Sequence, residues 1–165
     1  MGPKRKTWQE KLADREDLPK ILTLEKSFPC FNAVRKMGAE VGDPVVLVNP
    51  SEVTACMKQV PPGNLTTITE ICRRLADKHG AKGCCFLTTG IFIMITANAA
   101  REAKAQDKDL QVPYWRTLKT DGFLNDKYPG GVESHRALLE QEGFTVVGNG
   151  KRLRVDNYRA HSIEI

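Results

Sequence analysis

No apolar run in these 165 residues is long enough to cross a bilayer: the longest, Ile91 to Ile95, is far short of the ~20 residues a spanning helix needs. There is no Cys-x-x-Cys, and His79, His135 and His161 stand far apart in the chain. The usual ligand spacings of a metal site are therefore missing, and neither a metal nor another cofactor is expected. Internal repeats, Ser/Gly linkers and low-complexity segments are absent too; 13 Gly and 9 Pro are ordinary numbers. No charge of one sign dominates. Twenty-five Lys and Arg against 20 Asp and Glu leave a net charge of +5, which admits a nucleic-acid partner without demanding one.

What is there is a chain of ordinary globular composition, 41% apolar and 27% charged, with a mean hydropathy of −0.38. It is long enough to bury a core without staples. The five cysteines, Cys30, Cys56, Cys72, Cys84 and Cys85, are an odd number. The opening Met1-Gly2-Pro3-Lys4-Arg5-Lys6 has no apolar segment behind it. Free thiols in a reducing compartment are expected, cytoplasmic (nucleoid) or nuclear and not secreted, with no membrane partner. Lys4-Arg5-Lys6 reads as a solvated terminal cluster as readily as a phosphate-binding one.

Residues 1–44, interrupted by Pro19, Pro29 and Pro44, read as an N-terminal arm with short helices over 8–15 and 33–37. Val45-Val46-Leu47-Val48 is a short β-branched run closed by Asn49-Pro50, the signal of a strand. Ser51 then offers an N-cap, and Val53, Cys56, Met57 and Val60 follow at helical spacing until Pro61-Pro62-Gly63. Thr67-Ile68-Thr69-Glu70 has the form of a capping box, and Ile68, Ile71, Cys72 and Leu75 give the next helix one apolar face, with Cys72 in the core. Gly80 stops that helix, whose other face carries Arg73, Arg74 and Lys78. Thr88 or Thr89 caps a further helix over 90–104 whose first turns are apolar all round, and so buried on nearly every side. Arg101 and Lys104 fall near its C-terminal end.

Two helices joined in this way fit a helix-turn-helix and equally any helical hairpin. After a polar, Gly-rich stretch over 119–131, a short helix runs over 132–142 and ends at Gly143. Phe144 to Val147 and Arg152 to Val155 then flank Gly148-Asn149-Gly150-Lys151, the pattern of a β-hairpin. The expectation is a mostly α fold with small β: a winged helix-turn-helix over 45–158, its C-terminal hairpin at 144–155, and a tail at 159–165.

Two stretches carry a family resemblance. Val60-Pro61-Pro62-Gly63-Asn64-Leu65-Thr66-Thr67-Ile68-Thr69-Glu70-Ile71 is similar to the lead-in and first helix of the helix-turn-helix in the O6-alkylguanine-DNA alkyltransferases, the methylated-DNA–protein-cysteine methyltransferases. Val112-Pro113-Tyr114-Trp115-Arg116-Thr117 resembles that family's I-P-C-H-R-V active-site segment. Asp121-Gly122, Pro129-Gly130-Gly131 and Leu138-Leu139-Glu140-Gln141-Glu142-Gly143 follow as its later landmarks do, in the same order and nearly the same spacing. The likeness spans residues 51–143. It implies the DNA-binding domain of that family, with double-stranded DNA, alkylated or not, as partner and other repair proteins as further partners.

The departures redirect the function. Tyr114 stands where the family has its nucleophilic cysteine, and Trp115 where it has the proton-relaying histidine. A phenol without an adjacent base cannot accept an alkyl group as a thiolate does, so no catalytic residue is assigned. The non-catalytic alkyltransferase-like branch, which binds such lesions with a tryptophan for the cysteine, is the nearer likeness. The resemblance then implies a base pocket at Pro113, Tyr114, Trp115, Arg116, Tyr128, Gly130, Gly131 and Glu142, with Asn125 and Lys127 on its border. Backbone contacts would come from Thr67, Arg73, Arg74, Arg101, Lys151 and Arg152. The family's helix-turning tyrosine falls at Ile68, and its arginine finger falls among Phe86 to Thr88, where Phe86 is the candidate for an intercalating wedge. Tyr114 and Trp115 read equally well as core aromatics beside a proline. Two other readings stay open: an interaction or regulatory module on a retired alkyltransferase fold, and an alkyltransferase whose nucleophile has moved to Cys84 or Cys85.

Overall fold

The computed structural model describes residues 2–13 and 17–165, a mostly helical fold with three small sheets. The first helix, α1 (Trp8–Ala13), covers most of the expected 8–15, of which Arg15 lies outside the described residues. Strand β1 (Lys20–Thr23) is followed by α2 (Phe31–Lys36) and β2 (Pro44–Leu47). β1 pairs antiparallel with β2, Ile21 opposite Val46, so the N-terminal arm holds a strand besides the expected short helices. Nothing local announces β1, because all four of its residues are exposed and no alternation of apolar and polar residues marks it.

Helix α3 (Pro50–Lys58) is capped by Asn49 and not by Ser51. Asn49 Oδ1 accepts from the Ser51 amide at 2.9 Å, and the Glu52 carboxylate accepts from the Asn49 amide at 3.1 Å. Pro50 at the first helical position explains the shift: its fixed φ starts the helix two residues earlier than a Ser51 cap would. Strand β3 (Thr66–Thr67) leads into α4 (Ile68–Lys78), where Thr67 Oγ1 accepts from the Glu70 amide at 3.3 Å. Only this half of the capping box forms; the Glu70 carboxylate pairs with Arg73 instead. Gly80, at φ +64, ends the helix as its sequence predicts.

Strand β4 (Gly83–Cys84) pairs parallel with β2, Val46 opposite Cys84, and completes a sheet of order β1-β2-β4. Gly83 is there for room: a Cβ would sit 2.4 Å from Val34 Cγ1 of α2. The 20-residue helix α5 (Phe86–Ala105) then begins four residues before the expected start, capped by Cys85 and not by Thr88 or Thr89. A thiol is not among the usual caps, which is why the sequence pattern pointed past it. Phe92, Ile93, Ile95, Ala97, Ala99 and Ala103 are buried, but Leu87 and Ile91 are 54% and 41% exposed, so the helix start is not apolar-packed all round. At its other end Glu102 accepts the Trp8 and Gln9 amides, both at 3.1 Å, and so caps α1 from a distance.

A single turn of 3-10 helix (Tyr114–Arg116) leads into β5 (Thr117–Leu118), which pairs parallel with β3. Helix α6 (Gly131–Gln141) precedes the hairpin of β6 (Val146–Asn149) and β7 (Arg152–Val155). Asn149 pairs with Arg152, leaving Gly150-Lys151 as the loop, so the first strand lies two residues later than the expected 144–147 while the second keeps its expected 152–155. The final segment is held too: the Leu65 amide donates to the His161 carbonyl at 2.9 Å, and the Ile163 amide donates to the Leu65 carbonyl at 3.1 Å. Among the described residues no helix is long and apolar enough to cross a membrane.

Candidate functional site

The turn at Tyr114–Arg116 places consecutive side chains in different surroundings. Tyr114 is buried and meets Trp115 and the buried Tyr128 edge-on, with ring centroids 5.4 and 5.3 Å away. Burial pushes the Tyr114 phenol above its ordinary value, partly offset by Arg101, so it stands neutral and is no nucleophile near neutral pH. Tyr128 donates its hydroxyl to the Thr117 carbonyl at 2.8 Å, and burial pushes its own phenol up as well. Behind it lies His135, also buried. Its Nδ1 accepts the Asn125 amide at 3.1 Å, so Nε2 carries the proton and donates it to the Trp115 carbonyl at 2.8 Å. Burial lowers its pKa to about 4, and the ring is neutral.

Trp115 is half-buried and bridges two parts of the core. Its indole N–H donates to the Glu142 carboxylate. That carboxylate also takes Arg116 through Nε at 2.9 Å and Nη2 at 2.7 Å, while Arg116 Nη1 reaches the Val60 carbonyl at 2.8 Å. Glu142 therefore does more than finish α6. It ties the Tyr114–Arg116 turn to that helix, and Arg116 ties the turn to the chain before α4.

The residues singled out from the sequence do not share one surface. Pro113, Tyr114, Trp115, Arg116 and Glu142 line a groove of about 1370 Å³ together with Arg101, beside the C-terminal half of α5. A second cleft, of about 710 Å³, lies at the N-terminal half of α5, and it takes Phe86, Lys151 and Arg152. Tyr128 is in the core, and Gly130 and Gly131 open α6 with φ near +80 and +73. Thr67 is buried with its hydroxyl spent on capping α4. Arg73 and Arg74 are exposed on α4, Arg73 paired with Glu70, and neither lines the cleft or the groove.

The smaller cleft has an apolar floor and a basic rim. Ile68, Phe86, Leu87, Gly90, Ile91 and Met94 form the floor, and Lys119, Lys127, Lys151 and Arg152 stand around it. Arg152 lies over the Phe123 ring at 5.2 Å, and Lys119 is 3.8 Å from Asp126. The Asn98 amide group donates to the Met94 carbonyl at 2.9 Å and the Lys127 carbonyl at 3.2 Å, pinning the far wall to α5. Leu87, Ile91, Lys119 and the position of Lys127 on this rim escaped sequence reasoning. Exposed leucine and isoleucine in an apolar run look like core until the helix is docked.

No protein-family model and no curated protein matches the chain. Among solved structures it is similar to S. pombe Atl1 in complex with damaged DNA containing O6-carboxymethylguanine, with 16% identity and a TM-score of 0.49, over 70% of this chain and 94% of that one. It is also similar to S. pombe ATL in complex with DNA, again with 16% identity, a TM-score of 0.44 and the same coverage.

Proposed function

We propose that this chain is a non-catalytic DNA-binding protein that recognises alkylated or extruded guanine. The observation that carries the reading is the cleft at the start of α5. Its floor holds two large, exposed aliphatic side chains, Leu87 and Ile91, and four cations surround them. Cations around such a cleft suit phosphates, and an apolar surface between them suits insertion into a base stack. Helices α4 and α5 supply one wall and the hairpin β6–β7 supplies Lys151 and Arg152, the division of labour of a winged helix. The sequence resemblance at residues 51–143 supports the same reading. The half-buried Phe86 ring in the floor offers a stacking face to an extruded base, while Tyr114 and Tyr128 are taken up in the core.

A titration against duplexes with and without O6-methylguanine, at several salt concentrations, tests this. If the four rim cations engage phosphates, log K falls with log salt at a slope of about −3.6. Charge reversal of Lys151 and Arg152 together lowers the slope by about 2 and weakens both duplexes alike, because phosphate contacts position without reading sequence. The alkylated duplex binds tighter by ~1–3 kcal/mol for one stacking contact, and Phe86→Ala removes that difference. The intact mass is unchanged after incubation with the lesion. No binding at low salt overturns the reading, a slope near zero points to a protein partner instead, and the gain of a methyl group on any cysteine overturns the non-catalytic part.

A further inference from the structure

Cys84 and Cys85 end strand β4 and begin the path into α5, and their side chains go to opposite sides, as neighbours on a strand do. Cys84 joins the cluster of Val46, Cys72 and Phe92, with Sγ 3.3 Å from the Thr89 hydroxyl. Cys85 joins Leu24, Val34, Val45 and Cys30. There its Sγ lies 2.8 Å from Cys30 Sγ, closer than two sulfurs in ordinary contact, and both residues are buried. The two lie 55 positions apart in sequence and on different elements.

We infer that Cys30 and Cys85 form a redox-active pair, a modification site that a hydroperoxide converts to a disulfide joining α2 to the start of α5. Cys85 is the attacking sulfur. The Cys30 thiol donates to it, and it caps α5 by accepting the Thr88 amide at 3.5 Å, where the helix dipole favours an anion. These contacts lower its pKa to about 6, whereas the Cys30 thiol is pushed up and keeps its proton. The Cys85 thiolate attacks one peroxide oxygen; the O–O bond breaks, and the leaving hydroxide takes a proton to become water. The sulfenic acid on Cys85 is then attacked by the Cys30 sulfur. The S–S bond forms as the S–O bond breaks, and the Cys30 proton leaves with the departing hydroxide as a second water. The two thiols lose two protons and two electrons, and hydrogen peroxide takes them up to become two waters.

The inference is independent of any DNA contact. The full chain is treated with limiting hydrogen peroxide, quenched, weighed intact and digested without reduction. A loss of two hydrogen masses is expected, with one linked peptide pair joining Cys30 to Cys85, reversed by dithiothreitol. Because the bond closes a long loop, the oxidised protein melts several degrees higher than the reduced one. Cys30→Ser abolishes both the mass loss and the melting shift and leaves a sulfenic acid on Cys85 that dimedone traps when the oxidised protein is unfolded in its presence. It makes no side-chain cap in α2, so this variant keeps the test alive even if Cys85→Ser fails to fold. No mass loss, a link between Cys72 and Cys84, or an equal loss of hydrogens in Cys30→Ser overturns the inference.

Discussion

Glu142→Ala is expected to lower the unfolding free energy by about 3–5 kcal/mol, the cost of leaving a buried charge without its partner. Glu142 and Arg116 have side chains only 17% and 12% exposed, so water does little to replace either one. The carboxylate takes hydrogen bonds from Arg116 and the Trp115 indole, and its removal strands both donors in the wall of the larger groove. Arg116 would keep the Val60 carbonyl and its place over the Trp115 ring, and neither replaces the lost carboxylate. Urea unfolding measures the loss. Removing both charges with Arg116→Leu and Glu142→Leu together should cost far less than the single carboxylate deletion, because no unpaired charge is left behind. A single variant within ~1 kcal/mol of the parent would mean that water already satisfies Arg116.

Acid should weaken the fold well before its carboxylates titrate. His135 is buried neutral, with its pKa lowered to about 4, whereas the unfolded chain holds histidine near 6.5. Between those values the unfolded state binds a proton that the folded state refuses, so stability falls as pH falls from about 6.5 to 4 and levels off below that. The integrated loss is ~3 kcal/mol for this one ring. Glu52 acts in a lower window. Burial pushes its carboxyl up, but Lys78, the Asn49 amide and His79 outweigh that and hold it below its ordinary value, so its contribution is lost on further acidification. Unfolding free energies measured by urea at pH 7, 5.5, 4 and 2.5 separate the two. His135→Gln should flatten the upper window; if the slope there is unchanged, the proton goes elsewhere.

The parts of the fold that the chain announces locally are those whose signals lie within a few residues. Thr67 and Gly80 bracket α4 because a hydroxyl cap and a left-handed glycine act on their own turns. The hairpin was legible for the same reason, although pairing of Asn149 with Arg152 moved the loop to Gly150-Lys151. Caps with unusual chemistry or distant in sequence were not legible: Cys85 opens α5, and Glu102 serves α1 from far along the chain. The candidate site suffered most. Phe86, Lys151 and Arg152 were found, but Leu87 and Ile91 look like core in the sequence and turn out to be its open floor.

By itself, then, the sequence determined the helical elements, the hairpin, and the lack of a thiol and an imidazole at Tyr114 and Trp115, since each follows from residue identity or from spacing within one or two turns. Only the tertiary structure decided that β1 joins a sheet, that Trp115 and Arg116 share Glu142, and that Cys30 meets Cys85. It also decided that Pro113 to Arg116 and Glu142, read as a base pocket, line a groove at one half of α5, while Phe86, Lys151 and Arg152, read as wedge and backbone contacts, line a cleft at the other. Those outcomes depend on which faces bury each other across long separations. No local period encodes such a choice, because the free energy of burial depends on how much surface is covered and not on where in the chain the covering residues lie.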